Sequence, residues 1–135
     1  MKTTKMILAS AVLMLLVAFQ AEAQSQTKVI AVINKAAWCP VCKANGERAM
    51  SALMSGNKDG VIQFVANDVT DKNTCTKSDQ ELSKFELEKE MVKHKGTGVA
   101  YFFNAKTKAY ISEISLSQPD EKLMEAESKA ATRVK

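Results

Sequence analysis

Short β-rich apolar runs alternate along the chain with longer stretches in which apolar residues recur at helical spacing. The runs predict four strands, at residues 28–33, 61–66, 99–103 and 109–116. The longer stretches predict three helices, at residues 41–54, 78–95 and 117–133. The second helix is predicted to begin with a capping box of Ser78 and Glu81. The polar segment before it, residues 67–76, is predicted to be a loop.

The order of these elements predicts the fold class. A helix joins the first two strands, so they are expected to be parallel, with a right-handed crossover. A short turn joins the last two strands, so they are expected to pair antiparallel. We therefore predict an α/β fold with a four-stranded mixed sheet and helices on both faces.

The N-terminal segment has the layout of a secretory signal peptide. Lys2 and Lys5 precede an uncharged apolar run at residues 6–19, and an A-x-A cleavage pattern follows at residues 21–23. The run is shorter than the roughly 20 residues that a bilayer crossing needs, although an uncleaved anchor is the alternative. We predict a signal peptide at residues 1–23, an exported domain at residues 24–135, and a periplasmic or secreted location.

The length and charge of the chain limit the classes of function that it can have. The chain has 135 residues, which fits one folded domain. Its formal net charge is +4, with lysines and glutamates scattered rather than clustered. Aromatic residues do not interleave with a basic run, so we expect no nucleic-acid partner.

The spacing of the three cysteines suggests reactivity rather than a structural framework. Cys39 and Cys42 are separated by two residues, and Cys75 lies far from both. Export favours disulfides, but a link across two residues closes almost no loop and would stabilise the fold little. The pair is therefore interpreted as redox-active or metal-binding.

The context of this pair resembles the thioredoxin superfamily. Residues 37–43 read AWCPVCK, directly after a predicted buried strand and at the start of a predicted helix. A C-x-x-C motif alone is a weak indication of this superfamily. The same motif between a buried strand and a helix, preceded by Trp38, is a specific one. The order of elements extends the resemblance from about Lys28 to Arg133 and implies a thioredoxin-like fold.

The resemblance also implies roles for the residues of the motif. Cys39 would attack a substrate disulfide, and Cys42, expected to be the more buried of the two, would resolve the mixed disulfide. Negative charge on Cys39 is favoured by its place at a helix N-terminus. The residues implied in substrate docking are Trp38, Pro40, Gly98 and Val99. Trp38 could equally be a core residue.

Two family features have no counterpart in the sequence. The family places a cis-proline before its third core strand, where this chain has Gly98 or Val99; Pro40 and Pro119 are its two prolines. The family also has a buried acid before the first cysteine, where this chain has Ile33. Glu47, on the first helix, is the candidate substitute.

Two further residues have competing interpretations. Cys75, predicted in the polar loop, could be a third redox group or a metal ligand, but a packed free thiol is favoured. His94 is the single histidine. It is interpreted as a cation at the C-terminus of the second helix rather than as a metal ligand.

The leading hypothesis is an exported thiol–disulfide oxidoreductase of the reductase or isomerase type, without a cofactor. Its partners would be protein thiols and disulfides and a redox-recycling protein; a monomer without membrane attachment after cleavage is expected. One alternative is a soft-metal site for copper or zinc at Cys39 and Cys42, completed by Cys75 or by a partner. Another is a catalytically weak thioredoxin-like adaptor.

Overall fold

The computed structural model describes residues 26–135, so the predicted signal peptide lies outside the described residues. The strands are β1 (Val29–Lys35), β2 (Ile62–Asp68), β3 (Val99–Asn104) and β4 (Tyr110–Ser115). The helices are α1 (Pro40–Gly56), α2 (Lys72–Lys84), α3 (Glu88–Met91) and α4 (Asp120–Arg133). None of these helices has the length and apolar character needed to cross a bilayer.

The four strands form one mixed sheet in the order β2-β1-β3-β4. β1 and β2 are parallel, with Val29 opposite Ile62. β3 runs antiparallel to both β1 and β4. This arrangement confirms the predicted α/β fold with a four-stranded mixed sheet.

Side chains of the central strand β1 alternate between two buried clusters. On one face, Val29, Ala31 and Ile33 pack with residues of α1 and α4. On the other face, Ile30 and Val32 pack with residues of α2 and of the segment around α3. A strand that is buried on both faces has an almost continuous apolar sequence. This explains why β1 was predictable from the sequence. Helices on both faces of the sheet are confirmed.

The start of the second helix was predicted wrongly. α2 begins at Lys72, and its N-cap is Asp71, whose carboxylate accepts the N–H of Thr74 at 2.9 Å. The Thr74 hydroxyl accepts the N–H of Asp71 at 3.0 Å, which completes a capping box. Ser78 is instead buried, and its hydroxyl accepts the N–H of Asp68 at 2.8 Å. Most of the predicted polar loop is therefore strand or helix.

The end of this helix also differs from the prediction. α2 stops at Lys84 and is followed by Glu86 in the left-handed region, with φ of 57°. That turn directs the fully buried Leu87 into the core before the short helix α3. Burial of Leu87 thus favours a break where the sequence pattern predicted a continuous helix.

Candidate active site

Cys39 is the N-cap of α1, and Pro40 occupies the first turn, where no backbone donor is lost. The sulfur of Cys39 accepts the backbone N–H of Cys42 at 3.2 Å. The two cysteines are joined as a disulfide, with their Cα atoms 5.3 Å apart. The pair therefore lies at the positive end of the helix dipole, where negative charge on Cys39 is stabilised.

The burial of the two cysteines is the reverse of the expected order. Cys39 is 2% exposed, whereas Cys42 is partly exposed. The expectation that Cys42 would be the more buried is wrong for this disulfide state. The segment before β3 lies against Cys39: a Cβ atom built on Gly98 would be 3.4 Å from the Cys39 sulfur.

Cys42 opens into a surface cleft of about 300 Å³. The cleft is lined by Lys35, Ala36, Ala37, Cys42, Lys43 and Asp68. The Lys35 ammonium and the Asp68 carboxylate are 4.0 Å apart. A hydrogen bond from the Thr70 side chain is the main cause that lowers the pKa of Asp68, so this carboxylate is ionised at neutral pH. Two lysines and one carboxylate leave the cleft with a net positive charge.

Gly98 lies close to the cysteine pair, as predicted from the sequence: a Cβ atom built on it would be 3.4 Å from the Cys39 sulfur. Its φ of 71° lies in the left-handed region. Its N–H donates to the carbonyl of Asn34 at 2.8 Å, and its carbonyl accepts the N–H of Leu116 at 2.8 Å. Within residues 26–135 no peptide bond is cis. Val99, the other residue predicted for docking, begins β3 and packs against the cluster beneath α2.

Trp38 lies on the surface beside the pair. Its side chain is 57% exposed, and its indole N–H donates to the carbonyl of Thr70 at 3.2 Å. Thr70 also accepts the N–H of Ala37 at 2.8 Å. The indole is thus held in place without being buried, which favours the docking interpretation over the core interpretation. Pro40 is exposed next to it.

A buried amide pair fixes the position of the Gly98 segment. The Asn34 side chain donates to the carbonyl of His94 at 2.9 Å and accepts from the Asn67 side chain at 2.8 Å. Asn34 is 1% exposed and Asn67 is 7% exposed. These bonds tie the ends of β1 and β2 to the loop before β3. This amide pair was hard to predict from the sequence, because Asn34 looks like an ordinary polar residue at the end of a strand.

No buried carboxylate lies beside the cysteines in the described part of the chain. Glu47 is exposed on α1. Glu127 of α4 is buried, but it packs against Gly56 at the far end of α1. With a rise of 1.5 Å per residue, that end lies about 26 Å along the helix axis from Cys39. Glu127 therefore does not exchange protons directly with the pair.

Cys75 and His94 do not join the pair. Cys75 lies in the first turn of α2, partly exposed and without a disulfide. Across residues 26–135, no three His, Cys, Asp or Glu side chains are grouped so that they could hold a metal ion. His94 lies beyond α3 rather than at the end of the second helix, so its predicted capping role is wrong. Its ring stacks on that of Tyr110, with centroids 4.7 Å apart.

Comparisons with known proteins give matches at the level of fold. No protein-family model and no curated protein sequence matches the chain. Trxlp from Edwardsiella tarda EIB202 has a similar structure, at 16% identity and a TM-score of 0.47, over 81% of this chain and 90% of that chain. So does a secreted Mycobacterium tuberculosis disulfide oxidoreductase homologous to E. coli DsbE, at 15% identity and a TM-score of 0.46, over 81% and 85%.

Proposed function

We propose that this protein is an exported thiol–disulfide oxidoreductase whose redox centre is the Cys39–Cys42 pair. The observation that carries the proposal is the position of the pair: the Cys39 sulfur caps α1 and accepts the N–H of Cys42. A thiolate at that position is stabilised by the helix N-terminus, which is the condition for rapid exchange near neutral pH.

In the reduced protein, the Cys39 thiolate is the nucleophile and Cys42 is the resolving cysteine. Cys39 attacks one sulfur of a substrate disulfide, and the other sulfur leaves as a thiolate. Cys42 then loses its proton and attacks the Cys39 sulfur, which releases the second substrate thiolate and closes the disulfide. The two cysteines lose two electrons and two protons, and the substrate disulfide gains them.

The surroundings of the pair provide a docking surface for a substrate but no buried general base. The exposed Trp38 and Pro40 flank the pair, and the Gly98 segment lies opposite it. A proton leaving Cys42 passes to water in the open cleft, because Asp68, with its lowered pKa, is a weak acceptor. We expect resolution to be slower than in enzymes with a buried acid, and exchange to persist.

The proposed location and partners follow from the signal pattern and from the chemistry. Residues 1–23 would direct export to the periplasm or the medium, where protein disulfides form. The substrates would be protein thiols and disulfides, and a separate redox protein or thiol would recycle the pair.

Reduction of insulin by dithiothreitol, followed as turbidity, tests the proposal. Wild type is expected to accelerate precipitation, and Cys39→Ser is expected to abolish the acceleration. Cys42→Ser is expected to leave a trapped mixed disulfide on Cys39, because the resolving thiol is missing. Cys75→Ser is the matched control and should retain wild-type activity. Equal behaviour of wild type and Cys39→Ser would refute the proposed function.

A further inference from the structure

We propose that Asn34 is a positioning residue for protein substrates: its side chain holds the loop of residues 94–98 in place beside the cysteine pair. The inference rests on the proposed function and adds to it the means by which the docking surface keeps its shape. Asn34 acts through the loop and takes no part in the exchange itself.

The 94–98 loop lies against the redox centre. A Cβ atom built on Gly98, the last residue of the loop, would be 3.4 Å from the Cys39 sulfur and 2.7 Å from Cγ1 of Val41. A substrate chain that brings its disulfide to Cys39 therefore lies beside this loop. A displacement of the loop by about 1 Å would misplace the reacting sulfurs, which can lower the rate by a large factor.

The sequence of the loop, HKGTG, does not make it rigid. It contains Gly96 and Gly98, and glycine restricts the backbone least of all residues. Neither of the chain's two prolines, Pro40 and Pro119, lies in the loop. The position of the loop therefore depends on its contacts with the rest of the fold.

Asn34 holds the loop at both ends. Its side-chain N–H donates to the carbonyl of His94 at 2.9 Å, and its backbone carbonyl accepts the N–H of Gly98 at 2.8 Å. Between these points, the Gly96 N–H donates to the Tyr101 hydroxyl at 3.0 Å. The backbone bond can form with any residue in place of Asn34, but the bond to His94 needs a side-chain donor. The side chain therefore decides whether the start of the loop is anchored.

Asn67 fixes the orientation of the Asn34 amide. The two residues lie opposite each other in the parallel pair of β1 and β2, and both are buried. The Asn67 side-chain N–H donates to the side-chain oxygen of Asn34 at 2.8 Å. Because that oxygen is occupied by Asn67, the Asn34 amide presents its N–H to the His94 carbonyl.

Stability alone gives no reason for two buried amides at these positions. Burial of an amide is unfavourable unless it is hydrogen-bonded, and apolar residues of the same shape can replace such a pair with little loss. Two residues earlier on the same face of the sheet, the corresponding positions hold the apolar Val32 and Val65. The amide pair supplies what an apolar pair cannot, which is the bond to the loop.

The double variant Asn34→Leu/Asn67→Leu tests the inference. It replaces the amides by apolar side chains of similar size and leaves the His94 carbonyl without its donor. Reduced protein, with Cys75→Ser in every variant, is mixed with insulin or with 2-hydroxyethyl disulfide, and its oxidation is followed by alkylation and mass spectrometry. We expect the rate with insulin to fall about tenfold. The rate with the small disulfide, which needs no docking surface, should remain that of wild type.

Urea unfolding and a matched control separate positioning from a general loss of structure. The double variant should unfold at a urea concentration close to that of wild type, because both amides are replaced together. Asn57→Ala is the control: the Asn57 side chain also makes two hydrogen bonds to β2, with the N–H and the carbonyl of Ile62 at 3.1 and 2.8 Å, but at the opposite end of that strand. Its loss should lower stability and leave both rates unchanged.

A folded double variant with the wild-type rate for insulin would overturn the inference. Equal losses of rate with insulin and with the small disulfide would also overturn it. If the double variant does not fold, Asn67→Ala is measured by the same criteria. It removes the bond that orients the Asn34 amide, so a loss of about two- to threefold with insulin is expected.

The two proposals fail on different results. A wild-type protein that insulin does not oxidise would refute the proposed function, and this inference with it. Oxidation of wild type by insulin, together with an unaffected double variant, would retain the proposed function and refute only the role of Asn34.

Discussion

Gly98 lies over the sulfur of Cys39, so close that a Cβ atom at Gly98 would stand 3.4 Å from that sulfur. The same atom would be 2.7 Å from Cγ1 and 2.8 Å from Cβ of Val41, the residue between the two cysteines. The loop before β3 and the first turn of α1 are therefore in direct contact. Cys39 is 2% exposed next to this contact, whereas Cys42 is partly exposed.

Gly98→Ala tests this contact. Alanine is strained at a φ of 71° and its methyl group would overlap Val41. We expect a loss of about 1–3 kcal/mol in the free energy of unfolding of the oxidised protein. Urea unfolding measures this loss.

Gly46→Ala is the matched control for Gly98→Ala. Gly46 lies inside α1, and a Cβ built there has no atom within 4 Å. Alanine should therefore stabilise the protein by about 0.5–1 kcal/mol. Equal effects of the two substitutions would contradict the account of Gly98.

Trp38→Ala tests the docking surface. The indole is 57% exposed, so its removal should cost less than about 1 kcal/mol of stability. It should raise KM for a protein substrate severalfold, because the exposed ring is the apolar surface beside the pair. Reduction of the disulfide by 2-mercaptoethanol should be unchanged.

Met54→Ala serves as the control for Trp38→Ala. Met54 is 65% exposed, in the last turn of α1, away from the cysteines. Its loss should leave KM unchanged. A wild-type KM for Trp38→Ala would show that the indole is not part of the docking surface.

Glu127→Gln tests the single buried carboxylate among residues 26–135. Neither oxygen of Glu127 has a hydrogen-bond partner in that range, and burial raises its pKa to about 8 from 4.5. The folded state then holds a proton that the unfolded state releases. The free energy of unfolding that this proton contributes is fully present below about pH 4.5. It falls as the pH rises from about 4.5 to about 8, and above that it no longer changes with pH.

The difference in stability between Glu127→Gln and wild type should therefore grow between about pH 5 and 8, by at most about 1.4 kcal/mol per pH unit. Urea unfolding across that range measures it. Glu121→Gln, at an exposed position of the same helix, should follow wild type. A Glu127→Gln profile parallel to wild type would show that the carboxyl is hydrated in the folded protein.

The sheet and its helices were predictable because burial on two faces leaves a clear pattern. The helix between β1 and β2 and the short turn between β3 and β4 predicted the parallel and antiparallel pairings. The start of α2 was not predictable in this way. The capping box that forms has Thr74 where the sequence pattern expects Glu or Gln. The bond between Ser78 and the β2 backbone, which places Ser78 inside the helix, depends on tertiary packing.

The position of the cysteine pair was predictable from the sequence, but its burial was not. The sequence predicted the pair at the start of a helix, with Trp38 beside it and Gly98 or Val99 opposite it. The burial of Cys39 depends on how the Asn34 carbonyl holds the Gly98 segment, a contact between distant parts of the chain. The cleft of Lys35, Lys43 and Asp68 likewise brings together the ends of two strands and a helix.

A redox titration of the Cys75→Ser protein tests the central claim most directly. The protein is equilibrated in dithiothreitol or glutathione buffers of graded potential, and the free thiols are counted by alkylation and mass spectrometry. The account predicts one reversible two-electron transition, with Cys39 and Cys42 gaining and losing thiols together. A pair that stays fully oxidised or fully reduced across the whole range would contradict it.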